Sequence, residues 1–361
     1  MTFTLPAEIL AIDTHADTFA YVLDRGADFV AGDKTLAVSL PRMRHGGLGA
    51  QVFALYVAPG LPPGQTFLRA VAMASAGLAT AERSQGQFVF VRTARELETE
   101  WARGAKCGLL AVEGAHVLEG NGLLVHALHA MGVVSITLTH ANSNEFADSS
   151  QDVRRWEGLS EAGRELVRIM NRLGMIVDVS HTSDETTSDV LDISAAPIIA
   201  SHSGARAICN HPRNLTDDLI RRIAASGGVV HVPYYPPYLD QHAADVFTAN
   251  WDRLRGEQSS NPPADDPEYM ARLYAECMRG VPPVPLEAVC AHIDYVVSLV
   301  GVPHVGLGSD WDGADITVAG LESCEGLGDL ADALRLRGHS EADLRAIFGG
   351  NFLRVLREVA G

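Results

Sequence analysis

The stretch "SEAGRELVRIMNRLGMIVDVSH", residues 160–181, holds one repeating unit of the fold. Its first half sets Leu166, Ile169, Met170 and Leu173 at i, i+3, i+4 and i+7, an apolar stripe of helical period among charged residues. From residue 175 the pattern becomes a short, nearly continuous apolar run that ends on His181. A strand without polar alternation is covered on both faces. Joined to an amphipathic helix, it implies a parallel sheet built by right-handed crossovers.

The same alternation recurs along the chain. Strand-like runs lie at 10–13, 49–57, 108–112, 133–139, 175–180, 198–201, 228–233 and 305–309. Between them are helical stretches such as "FLRAVAMASAGLATAERS", "TDDLIRRIAASG" and "LEAVCAHIDYVVSLVG". Eight such strands predict an α/β fold, a closed (β/α)8 barrel of the TIM type spanning 1–361 as one domain. An open doubly wound sheet is the alternative. The compositional break at 236–285 ("NPPADDPEYM", "GVPPVP") is too long for a simple connection. It is expected to be a helical insertion between strands seven and eight, over the barrel mouth.

Forty-five acidic against 28 basic residues give a net charge of −17, which repels phosphate backbones and anionic lipid. Nucleic-acid and membrane-surface partners are therefore excluded from the expectation. No run approaches ~18 apolar residues. "MTFTLPAEIL" has no basic n-region, and "LREVAG" has no lipidation signal. The five cysteines are scattered and form no CxxC pair, so neither a thiolate metal site nor a disulfide framework is indicated. A reduced, cytoplasmic protein is the expectation.

In such a barrel chemistry gathers at the carboxyl ends of the strands. Strand one exits with His15 and Asp17, strand three with Glu113 and strand four with His140. Strands five, six and eight exit with His181, His202 and Asp310. Residues two apart on a strand share a face, so His15 and Asp17 point together. Burying this many carboxylates calls for a compensating cation. Imidazoles and carboxylates without thiolates suit Zn²⁺ or a similar divalent ion. The set is too large for one tetrahedral ion and divides over two, ~3.5–4 Å apart, if one carboxylate bridges. The chain's two lysines, Lys34 and Lys106, lie away from strand exits, so Glu113 is the bridging candidate. His116 and His211 fall near the mouth but off the strand ends, and His231 reads as a core histidine within strand seven.

Several segments, in order, are "VEGAH", "SITLTHANSNEFADS", "MNRLGMIVDVSHTS", "APIIASHSGARAICNHPRNLTDD", "HIDYVVSLVGVPHVGLGSDWDG" and "GGNFLRVL". With them the chain resembles, over nearly its whole length, the membrane (renal) dipeptidase family of zinc peptidases within the amidohydrolase-like barrels. The resemblance implies two Zn²⁺, with Mn²⁺ or Co²⁺ as substitutes. His15 and Asp17 would bind one ion, His181 and His202 the other, and Glu113 both. It gives His140 and Asp310 the catalytic roles, His140 on the substrate side and Asp310 as the proton-handling acid. It also implies that Arg213 and Tyr235 lie by the terminal carboxylate of a dipeptide, and that the protein is a homodimer. Phe146 stands where the family has tryptophan, and His231 and Pro233 replace apolar and Asn residues. The chain lacks the signals of the secreted, lipid-anchored mammalian members and resembles the bacterial intracellular ones. Two alternatives remain: another metallohydrolase of the same barrel, opening lactones or β-lactams, and a metal-bound scaffold without catalysis.

Overall fold

Every strand pairing in the computed structural model is parallel, and the last strand returns to the first. Residues 5–6, 8–257, 272–273, 275–313 and 318–361 are described. The strands are β1 Ala11–Ala16, β2 Leu48–Tyr56, β3 Phe88–Phe90, β4 Lys106–Glu113 and β5 Val133–Thr137. They continue with β6 Ile176–Asp178, β7 Ile199–Ala200, β8 Val229–Val232 and β9 Val305–Leu307. Pairings run β1–β2–β4–β5–β6–β7–β8–β9 and back to β1, which closes the (β/α)8 barrel and removes the open-sheet alternative.

The ninth strand, β3, was not legible in the sequence. It pairs with Lys106–Gly108, on the part of β4 that precedes the pairing with β5. It therefore adds to the outside of the ring rather than to its count. β1 also runs to Ala16, beyond the expected end at residue 13, and so includes His15.

The helices follow the apolar stripes. Glu161–Leu173 starts where the Ser160 side chain accepts from the Gly163 N–H and ends on Gly174 at φ 70°, a left-handed cap glycine adopts at little cost. It buries Leu166, Val167, Ile169 and Met170. Strand side chains divide by alternation. Leu110 and Val112 pack outward into the core under the helices. Cys107, Leu109 and Ala111 pack inward with Ile12, Ile176 and Val229. Phe352, Val355 and Leu356 of the helix Asn351–Ala360 plug that inner cluster from below. A π-helical turn, Ala346–Gly350, precedes this helix. A Cβ on Gly349 would lie 2.1 Å from the Leu10 carbonyl oxygen, so only glycine admits this approach to β1.

Of the 236–285 segment, residues 258–271 and 274 lie outside the described residues. The described part contains the helices Pro236–Leu239 and Gln241–Glu257. Tyr235, Tyr238, Phe247, Cys277 and Met278 form a small core of their own.

Candidate metal centre

Six strand exits meet around Oε1 of Glu113, the last residue of β4. His181 Nε2 lies 3.0 Å from it, His202 Nε2 3.4 Å and His15 Nε2 3.5 Å. The Nε2 atoms of His181 and His202 are 2.8 Å apart. His15 Nε2 is also 3.5 Å from Asp17 Oδ2 and 3.9 Å from Asp310 Oδ1. His140 completes the ring, 4.4 Å from His181 between ring centroids. Ligand atoms lie within 4.8 Å of one another in three sets: His15–Glu113–His202, Glu113–His140–His181 and His15–Asp17–Asp310.

The donor set fits divalent ions. Tetrahedral ligands about 2.0–2.1 Å from an ion stand roughly 3.3 Å apart, close to the separations around Glu113. Two buried polar atoms of these residues, His15 Nε2 and Asp17 Oδ1, have no hydrogen-bond partner. Such atoms in a dry site need a ligand. The chemistry is imidazole and carboxylate only, and all five cysteines are buried free thiols.

Burial pushes His181 and His202 well below the ordinary histidine value, Arg213 and His15 respectively adding to it. Burial likewise takes His140 down to about 4. These rings are held neutral, as an imidazole that offers a lone pair to an ion must be. For Glu113, burial pushes up, but His15, by charge and by hydrogen bond, outweighs it and the carboxyl is held well below its usual range. His15 is the converse: burial pushes down, yet Glu113 and Asp17 keep it well above the ordinary value. Burial raises Asp17 to about 6 and Asp310 to about 7.

Backbone strain concentrates here as well. His181 and Asp310 both sit at φ 67° and Asp312 at φ 62°, the left-handed region that residues with a Cβ avoid. Asp312 accepts from Thr18 Oγ1 at 2.6 Å and from the Ala37 and Val38 N–H groups, tying the Asp310 turn to the chain after β1. Sequence reasoning missed Asp312.

Arg213 is buried beside the imidazoles. It donates to the His202 carbonyl at 3.0 Å and to Ser203 Oγ at 3.3 Å, while its Nε has no partner. Among the described residues no carboxylate forms an ion pair with it. Its guanidinium lies 4.9 Å over the Tyr238 ring. The Tyr235 hydroxyl is 3.3 Å from Met278 Sδ, and its ring is 4.8 Å from Tyr238. The ring on the arginine is Tyr238, and Tyr235 packs edge-on against that ring.

Tyr56 was also missed. It ends β2 in register with Glu113, its ring 4.5 Å from His140 and its buried hydroxyl without a partner. A strand-exit search confined to imidazoles and carboxylates passes over a phenol. Three other histidines bond the backbone: His116 Nε2 meets the Val57 carbonyl at 2.8 Å and His211 Nδ1 accepts from the Arg213 N–H. His231 Nδ1 donates to the Ala200 carbonyl from the barrel core.

Comparison with known proteins identifies the family. The family model described as membrane dipeptidase (peptidase family M19) matches residues 3–361. Dipeptidase aclJ of Aspergillus oryzae is 34% identical over 331 residues, 89% of this chain and 70% of that protein. The probable dipeptidase PvdM from Pseudomonas aeruginosa superposes with a TM-score of 0.85 at 25% identity, covering 98% of this chain and 96% of that one. A metallo peptidase from Rhodobacter sphaeroides, solved with a phosphinate mimic of the dipeptide L-Ala-D-Ala, superposes with a TM-score of 0.81 at 28% identity, covering 97% and 99%. This chain belongs to the membrane dipeptidase family, peptidase family M19.

Proposed function

We propose that the protein is a zinc-loaded, binuclear dipeptidase that hydrolyses the amide bond of dipeptides, L-Xaa-D-Xaa among them. One observation carries the reading. Oε1 of Glu113 has three imidazole nitrogens within 3.5 Å, beside a buried arginine that no described carboxylate neutralises. His15 and Asp17 would hold one ion, His181 and His202 the other, with Glu113 shared. When bound, the ions polarise the scissile carbonyl and lower the pKa of water towards ~7.

The chain's own groups do the rest. Asp310 takes a proton from the attacking water and returns it to the leaving nitrogen, a role suited to a carboxyl held at about 7. Neutral His140 donates to the developing oxyanion. Arg213 receives the substrate's terminal carboxylate through its free N–H, and Tyr235 and Tyr238 wall that side. This clamp measures length: a dipeptide's carboxylate reaches it, and a longer peptide overshoots. A mimic of L-Ala-D-Ala on the Rhodobacter relative supports a D-residue at the second position.

Among the described residues no helix is long and apolar enough to cross a membrane. The reading extends to a cytoplasmic homodimer, checked by cell fractionation and sedimentation. A screen of L-Xaa-L-Xaa and L-Xaa-D-Xaa libraries against zinc-loaded protein, with ninhydrin detection, tests the activity. Release of free amino acids is expected. Opening of lactones or β-lactams with every dipeptide left intact would favour the other metallohydrolase reading.

A further inference from the structure

We propose that Asp178 and Ser201 form a relay that locks His202 in the one tautomer able to hold an ion, and so set how tightly the centre binds metal. The inference rests on His202 being an ion ligand, as read above.

Four donors converge on Asp178. Its Oδ1 accepts from the Ser180 and Ser201 N–H groups at 3.0 and 2.9 Å, and its Oδ2 from Thr137 Oγ1 and Ser201 Oγ at 2.5 and 2.6 Å. A group that only accepts, four times over, takes part as a carboxylate. A serine hydroxyl has a single hydrogen. Ser201 gives that hydrogen to Asp178, so towards His202 Nδ1, 2.8 Å away, its oxygen can only accept. Nδ1 must therefore be the protonated nitrogen, and the lone pair sits on Nε2. That atom faces His181 Nε2 at 2.8 Å and Glu113 Oε1 at 3.4 Å. The His202 N–H also donates to Ser180 Oγ at 2.9 Å, which fixes the ring's base.

His181 has no such support. Its Nδ1 is buried without a partner. Of the two imidazoles read as sharing an ion, His202 alone is preset by the protein, so control of affinity concentrates there. Asp178 and Ser201 touch neither substrate nor ion; they are positioning residues that act through His202.

The test is zinc affinity, by competition against a chelating indicator, for the unaltered protein, Ser201→Ala and Thr137→Val. Ser201→Ala should bind zinc about 10–100-fold more weakly, the usual effect of removing such a partner. Its metal-free melting temperature should move by no more than about 3 °C. Thr137→Val removes another bond to the same carboxylate without touching His202 and should keep near-normal affinity. Histidine ¹⁵N spectra of metal-free protein should show an Nδ1–H ring for His202 beside those of His231 and His304, which donate to carbonyls, and Ser201→Ala should lose the His202 signal alone. Equal affinity in Ser201→Ala, or an equal loss in Thr137→Val, overturns the relay while leaving the centre intact. An unaltered protein that binds no zinc overturns the reading of the centre itself.

Discussion

Asp13 and Asp17 lie four residues apart on one strand exit, both buried, and their surroundings are opposite. Asp13 accepts from the His15 N–H at 3.1 Å, Gln51 Nε2 at 2.8 Å, Ser309 Oγ at 2.9 Å and the Ser309 N–H at 2.8 Å. It stitches β1 to β2 and to the chain after β9. Asp17 has one oxygen without any partner, and its other faces an imidazole at 3.5 Å. Asp178 resembles Asp13; Glu113 and Asp310 resemble Asp17. A buried carboxylate with its hydrogen bonds filled holds neighbouring groups in place. One left wanting has been kept for something else, at a cost the fold alone does not explain.

Breaking that contrast should hurt in different ways. The largest effect is expected from Asp310→Asn: turnover of dipeptides falls about 10²–10⁴-fold, the span of a lost acid–base group. Metal content, read by elemental analysis, stays the same. Normal turnover would remove Asp310 from the reaction.

Next comes Arg213→Met. Loss of a charged hydrogen-bonding partner should raise KM for dipeptides about 10–100-fold. The same variant should change little for a dipeptide amide, which has no carboxylate to clamp. Steady-state kinetics on the two substrates decides it, and equal losses would contradict the clamp.

Asp13→Asn and Asp17→Asn should part the two carboxylates. In metal-free protein the first should cost about 1–3 kcal/mol of unfolding free energy, because an amide cannot accept from all of Asp13's donors. The second should cost nothing and yet abolish binding of one ion. Thermal denaturation with and without chelator separates them; equal destabilisation would erase the distinction drawn here.

The smallest effect is one of pH. Burial lifts Asp310 in the folded state to about 7, above the ordinary 3.8. The folded state thus holds this proton more tightly, and the associated stability is full below 3.8 and lost as pH rises through 7. Asn at this position removes the loss. Metal-free Asp310→Asn should melt a few degrees above the unaltered protein at pH 8 and by a smaller margin at pH 5. A margin independent of pH would contradict the assignment.

Much of this was legible in the sequence because parallel strands write plainly. A helix of period 3.6, then a short apolar run, then an imidazole or carboxylate: "LVRIMNRLGMIVDVSH" states the unit and its functional end together. What was not legible has physical causes. β3 is three residues long and pairs outside the ring, so no periodicity announces it. Asp13 carries no signal in the sequence, because its partners, Gln51 and Ser309, lie 38 and 296 residues away along the chain. The tautomer of His202 depends on a serine and an aspartate that look like ordinary strand polarity.

The most direct test of the central claim is anomalous diffraction at the zinc edge from crystals of the zinc-loaded protein. Two peaks are expected, sharing Glu113, one beside His15 and Asp17 and the other beside His181 and His202. A single peak, or peaks away from Glu113, would contradict it.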